Sequence, residues 1–301
     1  MPSIKDLKKR IVSVKNTQQT TRAMKMVSAS KLRRAQEAIQ NQRPYAKRMG
    51  ELIREVSQGV SLTTDQYPLI HRDRPAERAD RKKVLLVVVT SDRGLCGGFN
   101  GNAIKTAQKW ILAHQGQMDI ELAFVGRKGH EYFKNRKTKI NTYFSEAGGK
   151  VSFAKANALG NSLVEKYLSG EVDEVKFIYN EFKNVVTQCV VVDDFLPLLC
   201  DEGKDESSSS APASAPDFIV KPSKPEVLAS LLEKNFSIQA FRILLESQAG
   251  EHGARMSAME NATKNAGEMI KKLTLLYNKQ RQASITKELL EIISGSESQK
   301  G

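Results

Sequence analysis

The sequence predicts an α/β domain inserted between two long helices that pair as an antiparallel coiled coil. Three observations carry this. Apolar residues recur at heptad spacing through residues 4–56, and they do so again from residue 256. Between these stretches, short β-branched runs alternate with helical ones.

Steps of three and four from Ile4 fall on Leu7, Ile11, Val14, Gln18, Thr21, Lys25, Ser28, Leu32, Ala35, Ile39, Gln42, Ala46, Met49, Ile53 and Val56. Eleven of these sixteen positions are apolar. A seam kept over more than seven heptads predicts one coiled-coil helix over residues 1–58. It breaks between Gln18 and Ser28, where Ala23, Met24, Met26 and Val27 stand on a shifted face. Pro44 lies within the seam, and a local bend is expected there. Residues 59–83, with Gly59, Pro68, Pro75 and the charged run RDRPAERADRKK, read as a connector.

The runs VLLVVVT (84–90), IELAFVG (120–126), KINTYF (139–144), VKFIYNEF (175–182) and VVTQCVVVDDFLPL (185–198) read as strands. Helical stretches near 101–114, 127–136 and 153–169 separate the first four, which predicts a mainly parallel sheet. The last two strands lie too close in sequence for a crossover and form an antiparallel hairpin. This Rossmann-like domain is assigned residues 84–200. DEGKDESSSSAPASAP (201–216) is low in complexity, and residues 201–221 read as a flexible linker. Residues 204–215 carry no large apolar side chain, so deleting them should leave folding and assembly intact, checked as an unchanged thermal midpoint. A shortened chain that fails to fold contradicts this.

From residue 222 helical spacing resumes. Met256, Met259, Ala266, Ile270, Leu273 and Tyr277 keep a heptad rhythm, and Ile285, Leu289 and Ile292 extend it. A helix over 222–295 is roughly 110 Å long, and residues 296–301 are assigned to a disordered tail. With residue 58 opposite residue 222, partner numbers sum to about 280, so the second helix overhangs the first by about 15 residues, roughly 23 Å. The overhang, QRQASITKELLEIISG, carries an apolar stripe with no partner in the chain. Such a stripe needs an outside surface.

Lys and Arg outnumber Asp and Glu by 47 to 34. Residues 1–58 hold fourteen against four, and residues 217–301 hold twelve against ten, so the excess sits on the first helix. That implies an acidic partner: nucleic acid, an anionic membrane or an acidic protein. A basic zipper places its basic block and its heptads in succession, whereas here they are superimposed, which counts against a nucleic-acid scaffold. The three cysteines, Cys96, Cys189 and Cys200, have no CxxC spacing and give neither a disulfide framework nor a zinc site, and a reducing compartment fits. No run reaches the ~18 apolar residues of a membrane span. The start, MPSIKDLKKRIVSVKNT, lacks the apolar core of a signal peptide.

TSDRGLCGGFNGN (90–102) is the stretch that most resembles a chemical site. A phosphate loop needs GxxxxGK[ST], yet Gly98 is followed by Phe99 and Asn100, and GxGxxG spacing is absent. A thiol nucleophile needs a histidine base, and His71, His114, His130 and His252 are scattered. The stretch reads as a strand-to-helix turn with Cys96 as a small buried residue, a binding role staying open. In GEHGARMSAMENATKNAG (250–267), small residues permit close helix approach.

The segments NTQQTTRAMKMVSASKLRRAQ, SDRGLCGGFN, ARMSAMENATKNAGEMI and LTLLYNKQRQASITKELLEIISG together resemble the gamma subunit of F-type ATP synthase, in order and over essentially the whole chain. The resemblance implies a rotor shaft inside a ring of alternating alpha and beta subunits. The α/β domain would stand at its foot with the epsilon subunit, on the membrane c-ring of Fo. Proton flow turns the ring, and the shaft drives the catalytic sites of the beta subunits. It implies no catalytic residue, cofactor or metal in this chain, and no nucleic-acid partner. By the same resemblance Arg22, Met24 and Lys25 lie beside an acidic lever loop of a beta subunit. Arg281, Gln282, Thr286 and Glu288 meet beta catch loops, and Ile285, Leu289 and Ile292 form the tip in an apolar bearing. Photosynthetic members carry a two-cysteine insert after the last strand. Here that place holds Cys200 alone, so no thiol switch is expected. The implied location is the bacterial plasma (inner) membrane, peripheral and on the cytoplasmic side.

Overall fold

A computed structural model describes residues 3–57, 67–70, 81–136, 138–145, 151–184, 187–198, 221 and 223–298. Cys200, the stretch 204–215 and most of the expected connector and linker lie outside the described residues. The elements run α1 (Ile4–Ser57), β1 (Lys82–Val89), α2 (Phe99–His114), β2 (Met118–Val125), α3 (Arg127–Lys134), β3 (Ile140–Phe144), α4 (Phe153–Leu168), β4 (Glu174–Phe182), β5 (Gln188–Leu196) and α5 (Lys224–Ser298). Pro44 lies inside α1. β1 begins at Lys82, inside the stretch read as a connector, and α5 runs through Ser298, past the end expected at residue 295. Residues 31–254 form one compact unit, and residues 1–30 with 255–301 form another.

In the larger unit the five strands lie in the order β3-β2-β1-β4-β5. β1 pairs in parallel with β2 and β4, β2 pairs in parallel with β3, and β4–β5 is the antiparallel hairpin. β1 is buried from Val84 to Val89, as an apolar run at the centre of a parallel sheet must be. Its alternate residues feed two cores. Leu86 and Val88 pack with Ile104, Ala107 and Phe133 of α2 and α3. Leu85, Val87 and Val89 join Leu159 and Leu163 of α4, Met49 and Ile53 of α1, and Leu228, Leu232 and Phe236 of α5. The C-terminal half of α1 and the N-terminal half of α5 are therefore part of this unit's core. α4 and α5 meet backbone to backbone: a Cβ on Gly160 would stand 3.3 Å from Ser237 Cα. Beside this contact Ser237 Oγ donates to Asn157 Oδ1 at 2.6 Å.

In the smaller unit, residues 4–30 of α1 pair antiparallel with α5. Gln18 Nε2 donates to the Thr263 carbonyl at 3.4 Å, Thr21 and Thr263 share a hydroxyl hydrogen bond of 2.8 Å, and Lys25 Nζ reaches Glu260 Oε1 at 2.7 Å. Partner numbers sum to 281 and 285 at Gln18–Thr263 and Lys25–Glu260, close to the register expected from sequence. The expected break of the seam between Gln18 and Ser28 is not there. All sixteen seam positions are buried or half-buried, the five polar ones included. Hydrogen-bonded polar pairs and Ser28, whose hydroxyl donates to the Met24 carbonyl, fill the seam in place of apolar side chains.

Candidate functional site

In an open α/β sheet, ligands lie outside the carboxyl ends of the strands where the strand order reverses. Here that point falls between β1 and β4, and the glycine-rich stretch 90–102 begins at the end of β1. α5 lies against it. A Cβ on Gly250, which is buried, would stand 3.3 Å from Phe99 Cε2 and 3.7 Å from the Asn180 carbonyl. The chain's own helix occupies the place where a ligand would sit.

The turn itself is built to hold its shape. Asn100 Oδ1 accepts from the Ser91 amide at 2.9 Å, and Asn100 Nδ2 donates to Ser91 Oγ at 2.8 Å and to Cys96 Sγ at 3.2 Å. Cys96 is 2% exposed, and its partners are Asn100, Ser91 and the Arg93 carbonyl, none of them an imidazole. Cys96→Ser keeps an acceptor for Asn100, so its cost should be about 1 kcal/mol or less, a fall of a few degrees in the thermal midpoint. Loss of folding would show that the thiol does more than close the turn. Among the described residues, no group of three or more His, Cys, Asp or Glu side chains is placed to hold a metal ion. A groove of about 590 Å³ opens at the opposite end of the sheet, beside Lys83, Met118, Asp119 and Lys139. Lys139 Nζ is held there by the Asp119 carboxylate at 3.0 Å, which keeps it an ammonium and not a nucleophile.

The remaining candidates lie on the smaller unit. Arg22 is exposed, Met24 is half-buried, and Lys25 is engaged by Glu260. The more exposed apolar residues of this segment are Met26, at 67%, and Val27, at 57%. Both lie off the paired face, as their shifted spacing in the sequence suggests. Along α5, Met256 to Tyr277 keep the seam buried or half-buried at every heptad position. Beyond Gln280 only Ser284 is less than exposed through residue 296. Arg281, Gln282, Thr286 and Glu288 are all exposed, Thr286 Oγ1 donating to the Gln282 carbonyl and Glu288 accepting from Ser284. Ile285, Leu289 and Ile292 are 48%, 54% and 68% exposed, and Leu290 and Ile293 join them at 58% and 56%. At 100° per residue these five span about 160° of the helix.

A protein-family model described as ATP synthase matches residues 3–298. The chain is 47% identical to the "ATP synthase gamma chain" of Trichlorobacter lovleyi and 48% identical to that of Geotalea daltonii, each over 302 residues and the full length of both sequences. The chain belongs to the ATP synthase gamma-chain family. The same fold is seen in solved structures. The Tetrahymena thermophila mitochondrial ATP synthase central stalk and c-ring contains a chain of 25% identity, with a TM-score of 0.54, over 81% of this chain and 99% of that one. A chain of the Euglena gracilis mitochondrial ATP synthase, in an OSCP/F1/c-ring assembly, matches with 19% identity and a TM-score of 0.62, over 98% and 94% of the two chains.

Proposed function

We propose that this chain is the central rotor shaft of a bacterial F-type ATP synthase, peripheral to the inner membrane on its cytoplasmic side. Its free helix end turns inside a ring of alternating alpha and beta subunits. Its α/β domain, with the epsilon subunit, stands on the c-ring, so that ion flow through the membrane sector drives ATP synthesis on the beta subunits. The chain contributes no catalytic residue. Among the described residues no helix is long and apolar enough to cross a membrane, which suits a peripheral attachment.

The observation that carries this reading is the end of α5. Opposite Ile4 the register puts α5 near residue 280, leaving residues 282–298, about 25 Å of helix, with an apolar arc and no helix beside it in this unit. The exposed basic face of α1, including Lys8, Lys9, Arg10, Lys15 and Arg22, fits acidic surfaces of the surrounding subunits. Mixing the full chain with the alpha and beta subunits should yield a complex with one copy of this chain that hydrolyses ATP, while the chain alone has no turnover. Turnover by the chain alone, or failure to enter such a complex, overturns the reading.

A further inference from the structure

Glu246 is a carboxyl in the wrong surroundings. It lies on α5 in the apolar run FRILLESQAG, one helical turn after Arg242. Its Oε2 is fully buried and has no hydrogen-bond partner. Arg242, the cation nearest in sequence, is directed elsewhere. Its guanidinium reaches Asp193 Oδ2 on β5 at 3.1 Å, and Tyr179 of β4 donates to the same oxygen at 3.4 Å. Arg242 Nε is itself buried without a partner, so the pair has not closed on Glu246. The charged groups acting on Glu246 come from every element around it: Arg242 on its own helix, Glu181 on β4, Asp193 on β5 and Arg43 on α1.

Two cations face three carboxylates here if Glu246 is ionised, and one of those carboxylates has no donor to receive. Glu246 as a residue is half-buried, but its Oε2 is cut off from solvent, and charge on an oxygen with no donor is disfavoured, whereas the neutral acid needs no counter-charge and supplies a donor of its own. We propose that Glu246 is a proton-linked latch between the C-terminal helix and the β4–β5 hairpin: with its proton it seats the helix on the hairpin, and without it that contact loosens. The latch belongs to the α/β unit alone and does not rest on the rotor reading.

The electrostatics agree in direction. Burial pushes the Glu246 carboxyl above the ordinary carboxylate value of 4.5, Arg242 and Arg43 pull it back, and Glu181 and Asp193 add to the rise. Burial also pushes the neighbouring Tyr179 hydroxyl up, so that it stays a donor. For an acid raised in the folded state, the sign is fixed. The folded chain holds the proton more tightly than the unfolded chain, so the stabilisation is complete below the ordinary value and is lost as pH rises through the raised one.

The test is the thermal midpoint of the full chain between about pH 5 and pH 8, for wild type and Glu246→Gln, which keeps the shape of the neutral acid. Wild type should lose more stability than Glu246→Gln as pH rises, so the gap between the two curves widens in favour of the variant. Parallel curves overturn the proposal. Glu181→Gln removes one of the repelling carboxylates and provides an independent arm, since its pH-dependent loss should be smaller than that of wild type. An equal or larger loss counts against the latch. Hydrogen exchange localises the effect. Corrected for intrinsic rates, amides of residues 236–250 should open more at high pH in wild type than in Glu246→Gln, and equal opening in both overturns the proposal.

Discussion

Met24→Lys should leave ATP hydrolysis by the assembled complex substantial while sharply impairing ATP-driven ion pumping and ATP synthesis. Met24 is half-buried at the edge of the paired helices, between exposed Arg22 and a Lys25 already held by Glu260. A thioether adapts to whatever surface passes and forms no ion pair. With Glu260 already paired to Lys25, an added ammonium at this place would, under the proposed placement inside the ring, meet the acidic surfaces proposed for the surrounding beta subunits. An exposed pair contributes up to about 1 kcal/mol, and more when partly desolvated. A contact that must break at every step slows that step about fivefold for each kcal/mol. Met24→Leu, similar in volume and uncharged, should be close to neutral. Because the added attraction is electrostatic, higher salt should restore part of the pumping per ATP hydrolysed. Hydrolysis and pumping measured side by side in membrane vesicles decide it: normal pumping by Met24→Lys, or equal uncoupling by Met24→Leu, sinks the account.

The second large effect is expected at the free end of α5. Replacing Ile285, Leu289 and Ile292 together by Ala keeps helix propensity but removes most of the apolar arc. All three are about half exposed or more, so the thermal midpoint of the isolated chain should barely move. Seating the exposed part of each side chain in an apolar collar contributes about 1 kcal/mol, so the triple variant should weaken the contact by about 3 kcal/mol. ATP synthesis, which needs the shaft held on axis under load, should fall by roughly tenfold or more, with unloaded hydrolysis affected less. Undiminished synthesis would mean that this end of the helix touches nothing that matters.

Much of this was legible in the sequence because it rests on periodicity. The run VLLVVV reads as a strand buried on both faces, and Val84–Val89 are so buried. The heptad count places the helix pairing within a few residues of the observed register. What failed was the reading of the Gln18–Ser28 block. Pattern analysis scores apolar character, and a seam filled by Thr21 against Thr263, Gln18 against a backbone carbonyl and Lys25 against Glu260 is invisible to it. Met26 and Val27 were visible as apolar residues on a shifted face, and their exposure, at 67% and 57%, follows from a polar seam that keeps the paired face continuous. The fate of the glycine-rich stretch was also out of reach. Nothing local in TSDRGLCGGFNGN says that Gly250, some 150 residues later, lies against Phe99 and closes the crevice. The free end of α5 was accessible because it needs only helix lengths and a register, while the partners it meets were accessible only through family resemblance.

A rotor shaft turns within its ring. With the ring of alpha and beta subunits fixed to a surface and a bead carried on the α/β domain of this chain, addition of ATP should produce stepwise rotation in one direction at a rate that follows hydrolysis. A bead that only fluctuates about one angle while ATP is hydrolysed would contradict the account.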